Sequence, residues 1–135
     1  MKASISYQEL QRLITEQTNQ PISFEFVDEK TVKVMYEVNL GIMKKKIGLD
    51  LKVLDIVGSD LRVQYSTGFG MESLVGMALN MLKNKIPEGL LEEQSNHILW
   101  VHLGKIDKIK PVFERIDVKD VNMLAEAMEV VGDFR

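Results

Sequence analysis

Apolar and polar residues alternate over most of the stretch from 22 to 66, and this pattern constrains the fold more than any other feature. The four alternating runs are Ile22–Phe26, Val32–Leu40, Ile47–Val53 and Leu61–Tyr65. Because successive side chains of a strand point to opposite faces of a sheet, each run predicts a strand with one buried face. Turn-forming stretches separate the runs, including DEKT at 28–31 and GSD at 58–60. The pattern therefore predicts an antiparallel meander of four strands.

A helical pattern precedes the meander. Ser6 and Glu9 have the spacing of a capping box, in which the side chain of the first residue caps the start of a helix. Leu10 and Leu13 follow at helical spacing, and Pro21 ends the segment. These residues predict an N-terminal helix.

A second helix is predicted at about 71–85 in GFGMESLVGMALNMLKNKIP, residues 68–87. Its apolar side chains cover an arc of roughly 200°, whereas a helix lying on one sheet needs somewhat over ~100°. The surplus face must be covered by the rest of the protein core, by a second subunit or by a ligand, and we favour core. If a ligand covers it, the predicted contact residues are Met71, Leu74, Val75, Met77, Ala78, Met81 and Leu82. GFG lacks the lysine of a phosphate loop and predicts a strand-to-helix turn with positive φ.

The remaining segments complete an α+β prediction. HILWVHLGKI at 97–106 predicts a fifth strand, EGLLEEQSNH at 88–97 a loop or short helical turn, and KPVFERI at 110–116 a helix or turn. For residues 115–134 we favour strand, turn and strand, with a short helix at 124–131 as the alternative. The fold predicted for 1–135 is one domain with an antiparallel, strongly curved sheet of about five to seven strands. The sheet packs on the N-terminal helix and on a long apolar central helix.

Composition and charge exclude several classes of protein. A chain of 135 residues, 45% hydrophobic and 27% charged, is typical of one globular domain. A net charge of −3 argues against a nucleic-acid-binding protein. The absence of cysteine excludes disulfides and thiol chemistry. The start, MKASISYQEL, lacks the apolar core of a signal peptide. We therefore expect a cytoplasmic protein, or an exported one if a signal peptide has been removed.

No pattern of residues predicts catalysis. His97 and His102 are five residues apart in or near one strand, so they point to opposite faces and cannot share a metal by themselves. The acidic pairs at 92–93 and at Asp117 and Asp120 lack the arrangement of paired catalytic carboxylates. We expect no catalytic residues, no metal and no cofactor, and hence a protein that is not an enzyme.

A basic cluster lies at the predicted hairpin tip GIMKKKIG, residues 41–48, where Met43 precedes Lys44, Lys45 and Lys46. An apolar residue beside clustered lysines can contact anionic lipid headgroups. Alternatively, the lysines block edge-to-edge pairing and keep the protein soluble. We favour the second interpretation, so that any membrane contact is at most peripheral.

The order of helix, meander, long helix and strand is similar to one half of the tubular lipid-binding superfamily, which includes relatives of the bactericidal permeability-increasing protein. The segments that carry the resemblance are ISYQELQRLI, the strands at 22–67, MESLVGMALNMLKNKIP and HILWVHLGKI. The resemblance implies a bent sheet around a long helix with apolar lipid between them. It places Met71, Leu74, Val75, Ala78, Met81 and Leu82 in the lipid cleft. The chain is short for that fold and lacks the lipoprotein cysteine of bacterial relatives.

The leading functional prediction is a non-enzymatic binding protein for an apolar, lipid-like ligand. The alternative is a protein-interaction or homo-oligomeric module in which the apolar face of the central helix is the interface.

Overall fold

A computed structural model describes residues 1–18, 22–39, 41–68, 70, 72–84, 88–94, 97–107 and 109–135. Side chains at 17–18, 38–39, 78 and 81–83 lie outside this description. The helices are α1 (Tyr7–Thr18), α2 (Glu72–Lys83) and α3 (Lys110–Arg115), and a 3-10 turn covers Leu103–Lys105. The strands are β1 (Lys2–Ser6), β2 (Ile22–Asp28), β3 (Thr31–Asn39), β4 (Lys44–Val57), β5 (Asp60–Thr67), β6 (Leu91–Gln94), β7 (Ile98–His102), β8 (Ile116–Met123) and β9 (Ala127–Phe134).

The described strands form two antiparallel sheets. The larger has the order β2-β3-β4-β5-β7-β6, and the smaller has the order β1-β9-β8. The predicted α+β class with antiparallel strands is confirmed, and the predicted meander is β2 to β5. The prediction of a single sheet is wrong, because β1 pairs with β9, with Lys2 opposite Val131. A pairing across almost the whole chain leaves no local pattern in the sequence.

The register of the larger sheet places the apolar positions of the meander on one face. Ile22 lies opposite Tyr36, Val34 opposite Leu49, and Val53 opposite Val63. Residues predicted to share this face do so: Ile22, Phe24, Val34, Tyr36, Leu49, Leu51, Val63 and Tyr65. The opposite face carries polar residues such as Lys33, Asp50 and Gln64. We call the apolar side the inner face.

One hydrophobic core joins the two sheets. Buried residues of the larger sheet, including Val53 and Val63, belong to the same cluster as Val118 and Val121 of β8. The turn between β2 and β3 adds polar contacts to β8. Lys30 Nζ donates hydrogen bonds to Asp120 Oδ1 at 2.7 Å, to Asn122 Oδ1 at 2.7 Å and to the carbonyl of Val121 at 3.0 Å. The described residues therefore fold around a shared interior.

Helix α1 begins as the sequence predicts. The backbone N–H of Glu9 donates to Ser6 Oγ at 3.1 Å, so Ser6 caps the helix. The helix is also tied to the larger sheet, since the backbone N–H of Phe24 donates to Gln11 Oε1 at 2.9 Å. Its residues Tyr7 and Leu10 belong to the core or pack against it. The amphipathic pattern of α1 thus sets which of its faces meets the sheet.

Helix α2 has 12 residues and is shorter than the predicted 71–85 in the part of the chain that the structure describes. The prediction of a long apolar helix is therefore not met there. Val75 and Leu79, one helical turn apart, are buried. Gly70, just before the helix, has the predicted positive φ, at 80°.

Two further corrections concern short strands. The segment 88–97, predicted as a loop or helical turn, contains β6. Three of the four residues of β6 are polar, so its sequence shows no alternation, and it lies at the edge of the sheet. The predicted strand, turn and strand at 115–134 is confirmed as β8 and β9. No helix among the described residues is long and apolar enough to cross a membrane.

Candidate ligand-binding site

An apolar cavity of about 380 Å³ lies between the two sheets, α1 and the segment from the 3-10 turn to α3. The inner face of the larger sheet contributes residues such as Phe24, Leu51 and Val63 to its wall. The smaller sheet contributes Ile5 and Val130 among others. A cavity of this size falls within the range of about 300–1,000 Å³ that is typical of small-molecule sites.

The helices close the remaining sides of the cavity. Leu10, Leu13 and Ile14 of α1 line one side, at the spacing of a single helical face. Ile109 and Phe113 line another side, at the start of α3 and within it. The same alternation and helical spacing that predict secondary structure therefore direct apolar side chains from both sheets, α1 and α3 into one space.

The lining offers almost no polar group. Among the described lining residues, Ser4 and Tyr7 are the two with polar side chains. The hydroxyl of Tyr7 is already used, since it donates to the carbonyl of Leu124 at 2.5 Å. Burial raises the pKa of Tyr7 above its ordinary value, so the phenol stays neutral at physiological pH. The described lining therefore offers apolar contact rather than charged groups.

A second, smaller hollow lies beneath α2 and has a volume of about 70 Å³. Val75 and Leu79 of α2 line it together with Tyr36 and Ile47 of the larger sheet. Ile22 lines both this hollow and the large cavity. The hollow is about the size of two water molecules in the liquid, so it is too small for a lipid chain.

The predicted contact residues of α2 have different environments. Val75 is buried and lines the small hollow, Leu74 is partly buried and packs against the core, and Met77 is 48% exposed. None of these three lines the large cavity. The other predicted contacts lie outside the description, namely Met71 and the side chains of Ala78, Met81 and Leu82.

The predicted membrane-contact residues lie at the end of the β3–β4 hairpin. Met43 is 59% exposed, and Lys44, Lys45 and Lys46 are also exposed. Lys44 Nζ lies 3.8 Å from Glu37 Oε1, a distance that gives a weak surface ion pair. None of the four residues lines either hollow. The tip and the cavity are therefore separate features of the molecule.

A histidine bridges two carboxylates on the face opposite the cavity. His102 Nδ1 lies 2.7 Å from Asp60 Oδ1, and Nε2 lies 3.1 Å from Glu92 Oε2. Asp60, and then Glu92, raise the pKa of His102 above its ordinary 6.5, because both carboxylates stabilise the charged ring. Since both ring nitrogens are engaged, neither is available to a substrate as a general base. The arrangement joins β5, β6 and β7.

A second contact fastens β6 on its inner face. The hydroxyl of Tyr65 donates to Glu93 Oε1 at 2.8 Å, and its ring stacks on His97 at a centroid distance of 4.8 Å. Burial, together with the Glu93 carboxylate, raises the pKa of Tyr65 to about 12. Strand β6 also supplies Leu91 to the cavity wall. These polar contacts hold that part of the wall in place.

Among the described residues, no group of three or more His, Asp or Glu side chains is arranged to hold a metal ion. Comparison of the chain with protein-family models, with curated proteins and with solved structures gives no match. The resemblance to the tubular lipid-binding superfamily therefore stays a prediction.

Sequence reasoning missed the residues of the large cavity as a set. The apolar spacing in α1 and the alternation in β2, β4 and β5 can be seen in the sequence, but they do not show that these side chains surround a cavity. The contributions of β1 and α3 carried the weakest local signals, since KASIS and KPVFER contain few apolar residues. A cavity depends on the distance between the packed sheets and helices, and the spacing of apolar residues in the sequence does not predict that distance.

Proposed function

We propose that this protein is a non-enzymatic binding protein for an apolar, lipid-like ligand, held in the large cavity between the two sheets. The observation that carries the proposal is the cavity itself, with its volume of about 380 Å³ and its lining of aliphatic and aromatic side chains. Such a lining selects ligands that lose apolar surface to it and rejects ligands that need polar partners.

The apolar surface of the cavity supports the proposal. Its walls are aliphatic and aromatic, so water inside it finds few hydrogen-bond partners. A bound apolar molecule would cover this surface and gain the free energy of removing it from water.

The volume also sets the size of the ligand. An apolar cavity of roughly 150 Å³ holds benzene, which has six carbon atoms. By proportion, a cavity of about 380 Å³ holds roughly 15 carbon atoms. A saturated acyl chain of this size, or a compact molecule of similar volume, fits the proposal.

Two other features agree with a lipid-binding fold. The β-bulge between Val53 and Asp55 is the kind of irregularity that bends a strand, and a bent sheet is what the resemblance to the tubular lipid-binding superfamily implies. The small hollow beneath α2 adjoins the large cavity through Ile22.

Native mass spectrometry and an acyl-chain probe test the proposal. The gently purified protein should carry a small molecule, and ligand-stripped protein should bind one fluorescent fatty acid per chain. Ala3→Phe places a ring in the cavity from β1 and should weaken probe binding at least ten-fold. Ala127→Phe is the matched control, because Ala127 lies on the other face of the same sheet, opposite Ser6. Absence of probe binding, or equal binding by both variants, would refute the proposal.

A second candidate function is a homo-oligomeric module with α2 at the interface. The observation that favours it is the 48% exposure of Met77, a large apolar side chain on the surface of α2. Sedimentation of the wild type should then show a concentration-dependent dimer that Met77→Gln weakens. A monomer at all concentrations would exclude this function and leave the cavity proposal unaffected.

A further inference from the structure

The end of the β3–β4 hairpin extends beyond its neighbours in the described part of the sheet. On one side, β2 begins at Ile22, which pairs with Tyr36. On the other side, β5 ends at Thr67, which pairs with Leu49. Beyond these pairs, residues 37–39 pair with residues 44–46 and with no other described strand. This end of the hairpin is therefore a two-stranded ribbon.

Residues 41–46, which we call the basic tip, combine apolar and positive side chains. Ile42 is fully exposed, at 103%, and its neighbour Met43 is 59% exposed. Lys44, Lys45 and Lys46 follow directly and are exposed. Hairpin tips are usually built from polar residues and glycine, so two adjacent exposed apolar side chains at this place lack a structural reason in the fold.

We propose that the basic tip docks on the surface of a bilayer that contains anionic phospholipid. In the docked state, Ile42 and Met43 enter the headgroup region, and the three lysines contact lipid phosphates and carboxylates. Apolar insertion and attraction to anionic lipid are the two terms that hold peripheral proteins on membranes. The tip supplies both within six consecutive residues.

The charge of the rest of the chain supports this choice of partner. The net charge of the whole chain is −3. Removing the three lysines of the tip from that balance leaves −6 on the remaining residues. An anionic surface therefore attracts the tip and repels the rest of the molecule, which orients the hairpin toward the bilayer. Both effects fall as salt rises, because the screening length is about 8 Å at physiological ionic strength.

This inference does not rest on the proposed function. The basic tip lies apart from the residues that line the cavity. A protein that does not dock on membranes can therefore still bind a ligand, and a protein that binds no ligand can still dock. If both hold, the protein can collect or release its ligand at a membrane.

Vesicle co-sedimentation tests the inference with the wild-type chain. We expect binding to vesicles of phosphatidylcholine with phosphatidylserine, little binding to phosphatidylcholine alone, and loss of binding at high salt. Each lysine near such a surface strengthens binding roughly five-fold, so the variant K44Q/K45Q/K46Q should bind on the order of 100-fold more weakly. Ile42→Gln should weaken binding about ten-fold, since it removes an aliphatic side chain that enters the headgroup region in the docked state.

A matched triple variant separates the tip from net charge. K2Q/K52Q/K110Q changes the net charge by the same amount at other exposed lysines and should lose much less binding than the tip variant. The inference is overturned by any of four results: no vesicle binding by the wild type, equal losses in both triple variants, no effect of Ile42→Gln, or a dimer that the tip variants dissociate.

Discussion

Replacing Ala3 with leucine tests whether the large cavity is open space in the ligand-free protein. Ala3 lies in β1 opposite Val130, and both residues line the cavity. The substitution adds three carbon atoms directed into that space. If the space is open, the added carbons become buried without displacing their neighbours, and the variant is more stable than the wild type.

The magnitude follows from the number of carbons and the entropy of the side chain. Burial of each methylene contributes about 0.8 kcal/mol, which gives roughly 2.4 kcal/mol for three. Fixing a leucine side chain costs about 0.5–1 kcal/mol. The expected net gain is therefore about 1.5 kcal/mol, which raises the Tm of a domain of this size by roughly 3–8 °C. In a fully packed interior, the same change costs about 1–3 kcal/mol through overpacking.

An open cavity predicts that Ala3→Leu raises the stability, and a fully packed interior predicts that it lowers the stability. Thermal and urea unfolding measure this change and so decide between the two cases. The protein is refolded from denaturant before measurement, so that no ligand remains bound. Ala127→Leu serves as the control, because it adds the same atoms on the other face of the smaller sheet. Its effect should stay within about 0.5 kcal/mol, as is usual for changes near the surface. A lower Tm for Ala3→Leu, or a change no larger than that of the control, would show that the cavity is not open.

Three further predictions concern the framework around the cavity. Ile47 is 2% exposed, so Ile47→Ala should cost about 2–5 kcal/mol in urea unfolding, and a loss below about 1 kcal/mol would contradict its place in the core. The raised pKa of His102 gives stability that is full below pH 6.5 and is lost as pH rises through the raised value. His102→Gln should abolish that loss in unfolding measured across pH, and an unchanged pH profile would rule the contribution out. Tyr65, with a pKa of about 12, should ionise well above the ordinary 10.0 in an absorbance titration, and Glu93→Gln should lower its pKa.

Much of the larger sheet follows from the sequence, because its strands are long and their alternation is regular. Val34, Tyr36 and Leu49 lie at alternating apolar positions, each next to one charged residue, and the buried face can be assigned from that alternation. The capping of α1 by Ser6 follows from four residues. These features depend on residues that are close together in the sequence, so a short stretch of sequence is enough to predict them.

Two short strands could not be predicted in the same way, namely β1 of the smaller sheet and β6 of the larger sheet. Strand β1 has five residues and finds its partner β9 at the other end of the chain. Strand β6 has four residues, three of them polar. For such strands, tertiary pairing decides the conformation, and intrinsic propensity contributes little. The sequence pattern therefore predicts one sheet where the structure has two.

The predicted ligand contacts illustrate the same limit. The wide apolar arc of α2 predicts more apolar surface than one sheet can cover, but it does not predict what covers the rest. In the structure, Val75 faces a small hollow and Met77 is exposed, while the large cavity lies under α1 and α3. A periodic pattern shows which face of an element is apolar, but not how far that face lies from the next layer.

The lining of the cavity limits which properties of a ligand the proposed site could recognise. With Tyr7 already bonded to Leu124, the lining holds no charged or free phenolic group to recognise a headgroup. Discrimination must then come from fit, and each buried methylene of a ligand adds about 0.8 kcal/mol, or roughly four-fold in affinity. The gain ends where the chain fills the space, at roughly 15 carbons by comparison with benzene-sized cavities. Longer chains must leave a part in water or force the layers apart. The proposed site would therefore distinguish ligands by length and bulk, and it would accept different headgroups that stay outside.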